Sequence, residues 1–161
     1  MAPSSQQQPI TVLFVCTANI CRSPLAEALF CNLVDEAGLA GQVKADSAAS
    51  GRQQVGSPPH PSVISVLETH GIDFNHTARP FTHEDLRTFD FVLGMDNEVL
   101  RSIWAIGSGP AKVQPFVKYT PQLKLEQVPD PIVTGDFDAA YSVILAGCQT
   151  FLAFLRQTCG L

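Results

Sequence analysis

A thiol, Cys16, and a guanidinium, Arg22, stand with five residues between them, in a segment that runs from an apolar stretch into a helical pattern. A thiolate is a nucleophile, and the positive end of a helix favours an anionic sulfur beside it. The backbone N–H groups of Thr17, Ala18, Asn19, Ile20, Cys21 and Arg22 can turn inward as an anion cradle. A guanidinium closing that cradle can hold two oxygens of a phosphoryl group at once. Ser23 can donate a hydrogen bond to the sulfur. Such a set fits nucleophilic attack on a phosphate monoester. The plainer reading makes Cys16 a small buried residue and Arg22 a solvated charge at a helix start.

Expulsion of an alkoxide or phenoxide needs a general acid. Asp130, stiffened by Pro129 and Pro131, is the candidate; Pro131 biases it toward extended backbone. Its plainer reading is an ordinary Asp-Pro turn. After attack, Asp130 would act as base on the water that hydrolyses the phosphocysteine. Asn19 tolerates positive φ and suits a strained loop position. Cys21 can close a disulfide with Cys16 that protects the nucleophile from further oxidation, or it is an inert loop thiol. The four histidines show no metal-ligand spacing, and Asp90 and Asp96 have no second carboxylate cluster beside them. The expectation is no metal and no cofactor.

The elements that must hold these residues follow from patterning. Residues 10–15 form an apolar, β-branched run that reads as a buried strand. From Ser23, read as a cap, with Pro24 in the first turn, Leu25, Leu29 and Leu33 fall on one helical face. Residues 42–49, 89–95 and 113–117 read as further strands, the first of them mixed enough for a sheet edge. Residues 62–70 and 98–106 read as helices, with Gly71 stopping the first, and a short helix is expected after Thr82. Residues 118–133 read as a long loop. A last helix over about 136–157 carries Phe137, Tyr141, Ile144, Leu145, Cys148, Leu152 and Leu155 along one stripe. Strands alternating with helices indicate a parallel α/β sheet covered on both faces, with ligands at the strands' carboxyl ends.

Composition sets the bounds. At 161 residues and 45 % hydrophobic content, residues 10–161 fit a single domain, preceded by a disordered tail over residues 1–9. A net charge of −5 argues against a nucleic-acid binder. The tail has neither the charge nor the apolar core of a secretory signal. No apolar run reads as approaching the about 18 residues of a membrane span. Five cysteines without framework spacing suggest reduced thiols and a cytoplasmic protein.

The segment from Cys16 to Pro24 resembles the phosphate-binding loop of low-molecular-weight protein tyrosine phosphatases. The resemblance continues through Asp46-Ser47-Ala48-Ala49, Gly56-Ser57-Pro58-Pro59, His70-Gly71-Ile72, Ala78-Arg79, Phe89-Asp90, Met95-Asp96 and Val128-Pro129-Asp130-Pro131. It implies a three-layer α/β/α fold with strand order 2-1-3-4 and hydrolysis of phosphotyrosine in proteins through a phosphocysteine. Cys16, Arg22 and Asp130 would be catalytic, and His70 would support Asn19. The implied partner is a phosphotyrosine protein, a tyrosine kinase among the candidates, and the implied state a monomer or weak dimer. The family's usual aromatic walls are replaced here by Gln53, Ile132 and Val133, with Arg52 adjacent. A non-tyrosine phosphomonoester, or a redox-sensing phosphoryl binder with little turnover, is therefore the alternative. Ile20 stands where resembling protein-arginine phosphatases carry Thr. The relay cysteines of arsenate reductases on this fold are missing between Cys31 and Cys148.

Overall fold

A computed structural model describes residues 7–161. The tail expectation therefore lies outside the described residues for positions 1–6. Four strands, β1 (Ile10–Cys16), β2 (Val43–Ala49), β3 (Phe91–Gly94) and β4 (Lys112–Pro115), form one parallel sheet in the order β2-β1-β3-β4. Six helices accompany them: α1 (Arg22–Glu36), α2 (Pro61–Thr69), α3 (Asp85–Thr88), α4 (Asn97–Ile106), α5 (Pro131–Thr134) and α6 (Phe137–Cys159).

β1 is central because both its faces are apolar. Val12 and Phe14 face a core shared with α1 and α6, built around Phe30, Phe116 and Phe151. Leu13 and Val15 face a second core with Val92, Val99 and Ile103. That near-continuous burial is the mark of a strand covered on both sides. β2, with its mixed polarity, takes the edge. The register pairs Cys16 with Ala49 and Val15 with Gly94, so the carboxyl ends of three strands open onto one rim.

Three expectations change here. Ser23 is the second residue of α1 rather than its cap; Cys21 holds the cap position without a side-chain bond, because the Ser23 hydroxyl is committed elsewhere. The expected loop over 118–133 contains two short 3-10 turns and the first residues of α5. α6, at 23 residues, is also long and apolar enough by length and composition to cross a membrane, contrary to the reading of the sequence. Its apolar stripe is used in the fold: Ile144, Cys148, Phe151, Leu152 and Leu155 are buried, and Gly147 lets the Phe116 ring pack against the helix.

Candidate active site

The loop between β1 and α1 turns its carbonyls outward. Those of Cys16, Thr17 and Ile20 accept from the backbone N–H groups of Ser50, Gly51 and His60. Among the described residues the N–H groups of Ala18, Ile20 and Cys21 donate to no protein atom. They remain available to a ligand, which is what an anion cradle requires. The loop comes this close to the residue-50 loop because Gly51 has no side chain: a Cβ there would press on the Thr17 carbonyl.

Asn19, at φ 58 and fully buried, organises the interior of the loop. Its Oδ1 accepts from the Arg79 backbone N–H at 3.1 Å, which fixes which way the amide faces. The Asn19 Nδ2 group then donates to Ser23 Oγ (2.8 Å) and Ser47 Oγ (3.0 Å). Ser47 passes its own proton to Glu27 Oε1 at 2.8 Å. Ser23, having accepted from Asn19, has its proton left for Cys16 Sγ at 3.0 Å. Asn19 N–H reaches the same sulfur at 3.3 Å. The Ser23 hydroxyl thus points at the sulfur at one end of this network, while at the other end burial, with Asp46 nearby, pushes the Glu27 carboxyl up to about 8 against the pull of the Ser47 hydroxyl and Arg79.

The histidine in this network is His76, not His70. His76 Nε2 lies 2.8 Å from Asn19 Oδ1 and so must carry the proton. Burial holds its ring below the ordinary histidine range, against an upward pull from Asp46 and with a further downward push from Arg79. His70 instead ends α2: its Nδ1 donates to the Val66 carbonyl at 2.9 Å, and its ring stacks on Tyr141 at 4.0 Å. Gly71, at φ 74, turns the chain away at that point and carries it on to His76. The sequence offered no means of choosing between two histidines so near each other.

Arg22 is almost fully buried and held from below. Nη1 donates to the Val128 carbonyl at 2.9 Å, and Nη2 pairs with Asp96 Oδ2 at 3.0 Å. Asp130 Oδ2 is farther off at 3.7 Å. Asp96, to which sequence patterning assigns no role in the site, also caps α4 by accepting from Val99 N–H. Asp130 caps α5 by accepting from Ile132 N–H at 3.0 Å. Burial, reinforced by the sulfur of Cys16 and the carboxylate of Asp130, pushes the Cys21 thiol up to about 12 against the opposing pull of Arg22. Cys21 is thus a neutral thiol near neutral pH.

These groups line a cavity of about 240 Å³ formed by Cys16, Thr17, Ala18, Ile20, Cys21, Arg22, Gln54, Asp130 and Ile132. Its wall differs from expectation. Gln54 takes the place expected for Gln53, whose amide lies back against Gly51. Arg52 is exposed outside the cavity, and Val133 is 82 % exposed beyond its lip. Loop residues have no fixed alternation, so adjacent glutamines could not be ranked from sequence. A larger polar groove of about 560 Å³ between α2 and the start of α6 contains neither thiol nor guanidinium. Glu27, Asp46 and His76 bring ligand-type atoms within 4.8 Å of one another, a grouping without any local sequence signature.

Residues 11–159 match the family model for low molecular weight phosphotyrosine protein phosphatase. The Bacillus subtilis low molecular weight protein-tyrosine-phosphatase YfkJ is 38 % identical over 151 residues, covering 92 % of this chain and 97 % of that protein. The human low molecular weight phosphotyrosine protein phosphatase is 37 % identical over 154 residues, with the same coverage of each. The crystal structure of YfkJ superposes with a TM-score of 0.90 over 94 % of this chain and 97 % of its own. That of the Drosophila arginine phosphatase DARP, 33 % identical, gives 0.85 over 90 % and 97 %.

Proposed function

The chain belongs to the low molecular weight phosphotyrosine protein phosphatase family, and from that premise we propose how its residues carry out the reaction. It is a phosphomonoester hydrolase of the protein-tyrosine-phosphatase type. The observation that carries the assignment of residues is the cradle itself: free N–H groups around Cys16 Sγ, closed by Arg22 and faced by Asp130.

The phosphoryl oxygens bind the N–H groups of Ala18, Ile20 and Cys21 and the guanidinium of Arg22. Cys16 Sγ attacks phosphorus in line with the leaving oxygen, forming the S–P bond as the P–O bond breaks. Asp130 gives its proton to the departing phenoxide. It then removes a proton from the water that attacks the phosphocysteine, and the sulfur leaves as thiolate onto the Ser23 hydroxyl. Asp96 and the Val128 carbonyl keep Arg22 in place throughout.

The substrate is a phosphotyrosine-containing protein, a tyrosine kinase among the candidates. Its ring would lie between the aliphatic side of Ile132 and the stem of Gln54 rather than between aromatic walls. Five unbonded thiols support a reducing, cytoplasmic setting. A Cys16–Cys21 disulfide as a protective state is supported by both thiols lining one cavity.

The test uses two variants and a set of leaving groups. C16S should abolish hydrolysis of phosphotyrosine peptides while phosphate binding persists, because the cradle and Arg22 remain. D130N should slow phosphocysteine formation from poor leaving groups by about 10²–10⁴, the usual scale of general acid catalysis. Formation from p-nitrophenyl phosphate, whose leaving group needs less help, should fall less. Substantial turnover by C16S, or an equal loss for all leaving groups in D130N, would refute the assignment.

A further inference from the structure

The short helix α5 is a ridge between two hollows. Ile132 lines the cavity that holds Cys16, and Thr134 lines the polar groove of about 560 Å³ between α2 and the start of α6. Two residues of chain span no more than about 7.6 Å. An extended peptide that leaves the cavity over this ridge, at roughly 3.3 Å per residue, therefore enters the groove within two or three residues. We propose that the groove is a subsite for the polypeptide beside the phosphotyrosine, and that it selects substrates carrying lysine or arginine within four positions of that residue. The inference rests on the phosphotyrosine reading given above.

The charge of the groove carries the argument. Asp136 and Asp138 line it, and among the described residues no lysine or arginine does. Asp136 caps α6 with one oxygen only, Oδ1, which accepts from Ala139 N–H at 2.9 Å. Both side chains are exposed, and among the described residues neither pairs with a cation. Two open carboxylates that the chain's own cations leave unmatched complement a cationic side chain brought by a partner. They also repel a phosphoryl group, so the groove receives what flanks the phosphotyrosine and does not compete with the cradle. The one imidazole in the lining, His70, is engaged with the Val66 carbonyl and the Tyr141 ring.

The walls suit the rest of such a segment. Val66 and Phe137, both half-buried, give apolar surface to the stem of a long side chain whose charged head reaches the carboxylates. Ser62 and Ser65 add hydroxyls that can bond a peptide backbone. The groove is also held in place. The His60 ring stacks on Phe137 at 4.9 Å and the His70 ring on Tyr141 at 4.0 Å, so two ring pairs join α2 to α6. His60 N–H donates to the Ile20 carbonyl at 2.8 Å, which ties the α2 wall to the cradle loop. The groove therefore keeps one distance from Cys16, and a preformed subsite of this kind costs little ordering on binding.

The experiment measures kcat and KM on alanine-based phosphotyrosine peptides in which a single lysine, or a single glutamate, is moved through the four positions on either side. The enzymes are the full chain and its D136N/D138N variant. An asparagine at 136 still caps α6, and p-nitrophenyl phosphate does not reach the groove, so both enzymes should hydrolyse it equally. Lysine at one or two positions should raise kcat/KM over alanine by about 2- to 10-fold, the scale of one or two exposed ion pairs. The gain should lie in KM, as expected of binding felt equally in ground and transition states, and glutamate at the same positions should lower kcat/KM. The preference should vanish in D136N/D138N and shrink as salt is raised. A lysine preference that survives in D136N/D138N, or no preference at any position, overturns the inference and leaves the phosphotyrosine reading standing. Hydrolysis of p-nitrophenyl phosphate with every peptide refused refutes that reading and the inference with it.

Discussion

Replacing Ser23 by alanine should slow one chemical step and spare the other. The hydroxyl has a single direction in which to donate, since Asn19 Nδ2 already donates to it and Cys16 Sγ lies 3.0 Å away. Ser23 is fully buried, so no water replaces it. A hydrogen bond to a charged group contributes about 1.5–3 kcal/mol, and a diffuse sulfur acceptor places this one toward the lower end. During attack the sulfur loses charge, so the bond weakens along the reaction and its removal does not raise that barrier. During hydrolysis of the phosphocysteine the sulfur regains charge, and the lost bond raises the barrier by roughly its full value. Breakdown should therefore slow by roughly 10- to 150-fold, with formation changed far less. Burst kinetics on p-nitrophenyl phosphate separates the two: S23A should show a full burst followed by a slow steady state. The variant also strips Asn19 Nδ2 of one acceptor, so its melting point must be checked and should fall. Formation slowed with breakdown unchanged would show that the hydroxyl serves attack and would refute the direction assigned to its proton.

Two further outcomes follow from the site. H76A should reduce kcat markedly and lower the melting point, because Asn19 loses a buried partner, whereas H70A, which removes a stacking contact with Tyr141, should leave kcat near wild type; equal effects in steady-state assays would refute the assignment of His76. Iodoacetamide at neutral pH should label Cys16 and spare Cys21, whose thiol is pushed up to about 12, and peptide mapping that finds both labelled equally would show that Cys21 is not the neutral thiol described.

What the sequence disclosed about this site was local in the chain. The strand, the loop and the helix start from residue 10 to residue 24 are adjacent, and their patterns of type and period determine one another. Asp130 stood out because prolines bracket it. The strand order came from resemblance rather than periodicity, since patterning identifies strands but not their neighbours. What stayed hidden depends on chain paths. His76 and His70 differ only in where Gly71 sends the backbone. Asp96 looks like a helix cap, and it is one through Oδ1; nothing in its neighbours reveals that Oδ2 also holds Arg22. Glu27, Asp46 and His76 belong to three elements and meet only because β2 pairs with β1 and α1 packs over both.

The two carboxyl partners of Arg22 are held differently, and that difference suits them to the separate tasks proposed above. Asp96 bonds the guanidinium at 3.0 Å while anchoring α4, so moving it would disturb a helix start. Asp130 is 3.7 Å away, about one-third exposed, and oriented by its own cap to Ile132 N–H. It can give and take a proton without releasing the guanidinium. Its position relative to Cys16 is set instead by the segment before it. Val128 N–H donates to the Met95 carbonyl at 2.9 Å, just past the end of β3, and the Val128 carbonyl accepts from Arg22. Met95 N–H in turn donates to the Val15 carbonyl at 3.0 Å, beside Cys16. Asp130 and Cys16, the proposed acid and nucleophile, are thus tied to one strand ladder, β1 with β3, two backbone hydrogen bonds apart. A lengthened loop between residues 119 and 127 should for that reason be tolerated by the chemistry, whereas any change that frees Val128 should separate Asp130 from Cys16.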